Sequence, residues 1–382
     1  MGSWLHRSAA DRGESSRPGR GSRGGRAGGI VAAGLDPPGA TALPCGSMTG
    51  LPPLRYLPAA DVVAALPALP ERLRLAERAL AGLAAGAELP PKIGVHPRGE
   101  GSFAHAMPAL LRGREPDGRD DLLGLKWIAG VPANAAAGLP ALTALVIVND
   151  PRTGIPRAIL DGGPITAART AAISGVAIAR WAPGAPSREG RPPRAAVVGA
   201  GAQGRGHLPM LGHVLPGVDL RIFDREPARA AALAALAGET EGIGTAWIAG
   251  SAREAVAAAD VIVTCVSFGP VRQVMTADWF APDALVVPVD YDSSVAAEVA
   301  AGAAMFLVDE RAQFAASRAA GLFDGYPDPT GTLGEALLAG LPLPAAGRVV
   351  ATHLGTGLAD LVFADAVLRA AEEGSLGVLL PR

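Results

Sequence analysis

The sequence predicts an α/β fold in which a domain built on a parallel sheet is inserted into an α+β domain whose sheet is mostly antiparallel. Three observations carry this. Short β-like segments punctuated by Gly and Pro fill residues 90 to 163, strand and helix patterns alternate beyond residue 194, and the junction holds a glycine-spaced turn, Gly199-Ala-Gly201-Ala202-Gln203-Gly204, between a strand and a helix. The first glycine permits the tight turn, the second lets a pyrophosphate approach the backbone, and the third lets helix pack on strand. The helix N-terminus offers free N–H groups to the anion. The next strand, Leu220-Arg-Ile-Phe-Asp224, ends in a carboxylate placed for ribose hydroxyls. These features predict a Rossmann domain that binds NAD, because Asp224 repels a 2′-phosphate; Arg225 is the competing reader.

Residues 1 to 47 carry six arginines among clustered Gly and Ser with almost no apolar period, so disorder is expected there. Asp11, Glu14 and Asp36 argue against a transit peptide, and Met48 is the expected start of the functional protein. Glu71 to Ala85 has apolar residues at helical spacing. Strands are expected at Lys92 to His96, Ser102 to Ala106, Gly124 to Ala129 and Ala141 to Asn149; a turn at Asp150 to Gly154 then leads to a strand at Ala158 to Leu160. Thr166 opens a helix running to Trp181, ahead of a Pro-rich linker at 183 to 193. Ser251 to Glu254 reads as a capping box. Val261 to Val266, Leu285 to Val289 and Met305 to Val308 are continuous apolar runs, as parallel strands covered on both faces require. Val349 to Ala371 reads as a helix outside the nucleotide domain.

The 382 residues are 49% hydrophobic and 18% charged with a net charge of −2, a balance that gives no reason to expect a nucleic-acid partner or a membrane span. Two cysteines, Cys45 and Cys265, supply neither a disulfide framework nor a metal site, and a cytoplasmic location is expected. No cluster has metal-ligand spacing, so no metal is expected.

Five ordered blocks resemble the ornithine cyclodeaminase and mu-crystallin family: Lys126-Trp-Ile with Gly138-Leu-Pro, Asp150-Pro-Arg-Thr-Gly154-Ile-Pro, Ile165-Thr-Ala-Ala-Arg169-Thr-Ala-Ala, the glycine turn, and Val289-Asp-Tyr-Asp292. The resemblance covers residues 54 to 380. It implies a homodimer, with a substrate and dimerisation domain at 48–188, a Rossmann domain at 189–329 and a helical segment at 330–382 returning to the first domain. It also implies NAD-dependent deamination or cyclodeamination of an α-amino acid, by hydride transfer from Cα to NAD. The alternatives are an amino-acid dehydrogenase or a ketimine- or opine-type reductase, and a dinucleotide-dependent small-molecule binder.

An amino-acid substrate needs its carboxylate held by cations while hydride leaves Cα. Lys126 and Arg169 are the candidates, and the fork of Arg169 could also reach a cofactor phosphate. A carboxylate must take the ammonium proton; the resemblance assigns this to Asp292, with Asp290 as competitor. It also places Leu354, in the stretch from His353 to Asp360, against the substrate. Further expected cofactor contacts are Gly199, Gly201, Ala202, Gln203, Gly204, Asp224, Thr264, Val266 and Val289. Two departures stand out. Lys92 replaces an arginine, keeping charge but losing the fork. His105 replaces an acidic residue before Met-Pro; both departures weaken ornithine as the substrate, and His105 is either a group able to titrate near neutrality and share proton transfer or a neutral histidine hydrogen-bonded in a half-buried strand.

Overall fold

The computed structural model describes residues 50–184 and 190–382. The expectations for residues 1 to 47, Cys45, Met48 and the middle of the Pro-rich linker lie outside the described residues.

The first sheet starts with β1 (Leu54–Leu57), then leaves for α1 (Ala59–Ala64) and α2 (Leu69–Ala84). In α2, Leu75, Ala76, Ala79 and Leu80 recur on one helical face and are buried. β2 (Ile93–Val95), β3 (Phe103–Leu111), β4 (Leu122–Gly130), β5 (Leu142–Asn149) and β6 (Pro156–Asp161) follow as antiparallel neighbours. β1 returns beside β6 in parallel, so this sheet is mixed. Strand patterns do not show that pairing, because its partners lie about a hundred residues apart and share no turn.

α3 (Gly162–Trp181) begins four residues before the expected Thr166. Asp161 caps it by accepting from Gly163 N at 2.9 Å, and Pro164 is tolerated in the first turn, where no N–H is needed. Thr166 is inside the helix, its hydroxyl donating to Gly162 O at 2.6 Å.

The second sheet is wholly parallel. In chain order its region runs β7 (Arg194–Val198), α4 (Ala202–Val214), β8 (Val218–Phe223), α5 (Pro227–Gly238), β9 (Ile243–Ile248), α6 (Ala252–Val256), β10 (Val261–Thr264), β11 (Leu285–Pro288), α7 (Ala297–Ala301), β12 (Met305–Val308), α8 (Arg311–Ala319), β13 (Gly331–Thr332), α9 (Leu333–Leu338) and β14 (Val349–Thr352). The strand order is β13-β12-β14-β11-β10-β7-β8-β9. The chain reverses its direction of travel between β7 and β10, and ligands of open parallel sheets bind outside the strand carboxyl ends at such a point.

Val349 to Thr352 corrects the sequence expectation. This stretch is not the start of a helix but β14, a central strand between β11 and β12. A four-residue buried run fits a strand and a helix turn equally well, so its period could not decide. α10 (Gly357–Glu373) does leave the parallel sheet, packing on β3, β4 and α2, and β15 (Val378–Leu380) closes the first sheet against β1. At α6, Ser251 caps by accepting from Glu254 N at 3.1 Å, but the Glu254 carboxylate takes Gly250 N instead of closing the box.

Candidate functional site

The turn after β7 has the shape its glycines require. Gly199 has φ 107°, and a Cβ there would stand 2.5 Å from Cys265 O; one on Gly204 would stand 2.2 Å from Gly199 O. A Cβ on Gly201 would meet nothing within 4 Å. Backbone is thus packed tightly behind the turn and left open in front, where the first N–H groups of α4 point, so the residues present fit a dinucleotide pyrophosphate. Asp224 accepts from Ala200 N at 2.7 Å and Glu226 N at 2.9 Å, fixing its carboxylate beside the turn, with Arg225 exposed next to it.

Three expected cofactor contacts are already engaged within the protein. Thr264 is fully buried and its hydroxyl donates to Asp290 at 2.8 Å; Val266 N donates to the other Asp290 oxygen at 3.0 Å. The Thr264 hydroxyl hydrogen and the Val266 N–H are therefore already given to Asp290. Val289 N is bonded to Thr264 O. The strands end at Thr264 and Pro288, short of the expected Val266 and Val289.

Lys126 and Arg169 come together, around an acid that sequence reasoning did not pair with them. Lys126 lies in the row Met107, Lys126, Val146, Leu160 across β3 to β6, under α10. Its Nζ is 2.8 Å from Asp360 Oδ1, and Arg169 Nε is 3.2 Å from the same oxygen. Burial pulls Lys126 down to about 8. Burial also acts to raise Asp360, but the two cations outweigh it and hold this carboxyl below its usual range. Among the described residues the terminal nitrogens of Arg169 have no hydrogen-bond partner. They lie against Gly355, whose φ is 77° and whose missing Cβ would stand 2.8 Å from Nη2.

Lys92 reaches the same region from the first sheet. Its Nζ donates to Tyr291 Oη at 2.7 Å and to Leu354 O at 2.8 Å. The expected contact residue Leu354 is buried, and its carbonyl rather than its side chain accepts from Lys92.

The two carboxylates after β11 differ. Asp290 is held by Thr264, Val266 N and Ser294, yet burial raises it to about 6. Asp292 accepts from Phe323 N at 2.9 Å and Arg272 at 3.4 Å through Oδ2, while Oδ1 is buried without a partner among the described residues. Asp292 therefore keeps one oxygen wholly without a partner among the described residues, whereas both oxygens of Asp290 are engaged.

Of the two expected readings of His105, the structure takes the neutral one. Burial, then the Lys92 charge, then His96 push it down to about 4, and it stacks on Phe103 with ring centroids 4.6 Å apart. It is a neutral residue on the Lys126 face of the sheet.

Sequence reasoning missed Tyr291, Asp309 and a buried relay. Asp309 follows β12 and accepts from Gly355 N at 2.8 Å; burial raises its carboxyl. In the relay, Gln203 O accepts from His207 Nδ1 at 2.7 Å, and Ser174 Oγ lies 2.9 Å from Nε2 of both His207 and His353. Tyr291 stood inside a motif already singled out. Ser174 carries no local signal. Among the described residues no three His, Cys, Asp or Glu side chains are grouped to hold a metal, and no helix is long and apolar enough to cross a membrane.

A family model described as "Ornithine cyclodeaminase/mu-crystallin family" matches residues 58–313. The nodulation efficiency protein NfeD of Rhizobium meliloti is 32% identical over 335 residues, which is 86% of this chain and 98% of that protein. The Δ1-pyrroline-2-carboxylate/Δ1-piperideine-2-carboxylate reductase of Azospirillum brasilense is 33% identical over 189 residues, 49% of this chain and 56% of that enzyme. An archaeal alanine dehydrogenase dimer with bound NAD superposes with a TM-score of 0.72 at 25% identity, over 86% of this chain and 99% of that one.

Proposed function

Because the chain belongs to the ornithine cyclodeaminase/mu-crystallin family, we propose that it is an NAD-dependent oxidoreductase interconverting a small α-amino acid and its imine. The observation that carries this reading is the convergence of Lys92, Lys126 and Arg169 through the Leu354–Gly355 and Asp360 contacts, at the carboxyl edge of the parallel sheet. NAD, when bound, supplies hydride acceptance and donation at Cα. The reductase and the alanine dehydrogenase among the relatives support this class of chemistry.

The chain's residues divide the remaining work. Arg169 presents its terminal nitrogens, and Lys92 a third N–H, to the substrate carboxylate. Lys126 and Asp360 fix Arg169 from behind, since a guanidinium anchored at Nε keeps its fork aimed. Asp292 takes the proton that the ammonium loses when hydride leaves Cα, and returns it in the reverse direction. Asp224 selects NAD at the ribose.

Net oxidoreduction is favoured over cyclodeamination by His105. A diamine brings a second ammonium, and a neutral imidazole held near 4 supplies no charge to bind it. Cyclodeamination is the second reading, favoured by the free oxygen of Asp292. Following nicotinamide absorbance with cyclic imines, alanine and proline, and ammonia release with ornithine and lysine, decides between them. Ammonia release from a diamine without net NADH would overturn the first reading.

The enzyme works as a homodimer formed on the outer face of the first sheet. Ile93, Trp127 and Leu145 lie there in one row across β2, β4 and β5, all exposed, and such a patch favours burial against a second copy.

A further inference from the structure

We propose that Tyr291 is a substrate-binding residue whose hydroxyl, together with the Lys92 ammonium, holds the substrate carboxylate at two points. This rests on the function proposed above, which supplies the carboxylate.

Tyr291 sits in the turn after β11 and Lys92 just before β2, so their 2.7 Å contact joins the two sheets at the site. The donor count is unequal to the acceptors present. Lys92 has three N–H groups and uses two, on Tyr291 Oη and Leu354 O. The Tyr291 hydroxyl donates to Leu354 O at 2.8 Å, so that one carbonyl receives both groups. A ligand oxygen placed against the pair would take the third ammonium N–H and, by rotation of the phenol hydrogen, the Tyr291 O–H. Lys92 would still satisfy Leu354 O. A lysine alone is a point charge; the hydroxyl beside it adds a directional donor to those that Arg169 presents.

The backbone is held out of its relaxed range to make this arrangement. Tyr291 has φ 59°, a left-handed conformation rare for a bulky residue. Phe268 packs edge-on to its ring with centroids 5.3 Å apart, and Phe323 lies at 5.8 Å. Glycine would relieve the turn but bring no hydroxyl. Strain that the surroundings over-determine in this way is characteristic of ligand clamps.

The test measures binding by calorimetry on the full chain with NAD present, using L-proline, L-alanine and pyrrole-2-carboxylate, with prolinamide as the comparison lacking a carboxylate. Tyr291→Phe is expected to weaken the carboxylates about tenfold or more, since hydrogen bonds to charged groups are worth that factor. Prolinamide affinity, NAD affinity and melting temperature should not move. Adding Lys92→Arg to Tyr291→Phe should recover carboxylate binding, because the guanidinium fork supplies both donors. Equal carboxylate binding by the unmodified protein and Tyr291→Phe overturns the role of Tyr291 alone. If the unmodified protein binds none of the carboxylates, the functional reading has failed and the assignment falls with it.

Discussion

Lys126 Nζ lies 2.8 Å from Asp360 Oδ1 with neither side chain more than 1% exposed. The pair joins a strand of the first sheet to the first turn of α10, and Arg169 of α3 shares the same oxygen. One carboxylate thus fixes three elements around the proposed substrate site. Its other oxygen, Oδ2, has no partner among the described residues, so the anchoring falls on a single atom.

Removing that carboxylate leaves two cations facing each other in the interior. Asp360→Asn is expected to cost about 3–5 kcal/mol of stability, the usual penalty for breaking a buried pair from one side. Denaturant unfolding measures it. Lys126→Met in the Asp360→Asn background should recover part of the loss by removing one unpaired charge; if the double variant is less stable than Asp360→Asn, Lys126 is not a burden when unpaired.

Stability should also fall on mild acidification. Burial pushes His207 down to about 4 and His353 well below its usual value, so both are neutral in the fold. An unfolded histidine takes up its proton near pH ~6.5. Their contribution is therefore fully present above that value, and is lost as pH falls from there toward the folded pKa. At pH 5 the His207 share of the loss is about 2 kcal/mol. His207→Asn removes the titration, and denaturation midpoints across pH 4 to 7 should flatten; an unchanged slope would mean the burial of His207 does not govern it.

The glycine turn, the strands after residue 194 and the cations on β4 and α3 were legible in the sequence because their signals are local. Gly199, Gly201 and Gly204 are constrained by atoms within one strand-turn-helix unit, so spacing was enough. β14 was not legible, since Val349 to Thr352 has no period of its own and its neighbours β11 and β12 lie far back in the chain. The Lys126–Asp360 pair spans 234 residues, and no local pattern marks which acid will meet which cation. Burial decided His105: residue type left a titrating and a neutral imidazole both open, and the desolvation by the sheet and the charge of Lys92 that decide between them are properties of the assembled fold.

The turn offers a clean separation of folding from cofactor binding. Gly204→Ala places a Cβ 2.2 Å from Gly199 O, backbone that cannot move aside, so a drop of several degrees in melting temperature is expected. Gly201→Ala meets nothing within 4 Å and should fold normally. It should nonetheless weaken NAD binding at least tenfold by holding the pyrophosphate off the backbone. Melting curves and nucleotide titration of the two variants check this, and a Gly201→Ala protein with unchanged NAD affinity would remove the cradle from the argument.

The two acids after β11 should separate in the same manner, one by chemistry and one by stability. Asp292→Asn keeps acceptance from Phe323 N through its amide oxygen and removes the free base at Oδ1, so turnover should fall by roughly 10² to 10⁴ with melting temperature nearly unchanged. Asp290 accepts from two hydroxyls and one backbone N–H and ties β10 to the turn after β11. Asp290→Ala leaves Thr264 and Ser294 buried without that acceptor, and stability should drop by a few kcal/mol, on the order of 1–3 for each unsatisfied group. Single-turnover rates at saturating NAD, set beside denaturant midpoints, read both effects. If Asp292→Asn turns over normally while Asp290→Asn folds and is inactive, the proton passes through Asp290 and the division of labour is reversed. If both fold and both are active, proton transfer falls to another group, and His105 is not the substitute, because an imidazole held near 4 has no proton to give at neutral pH.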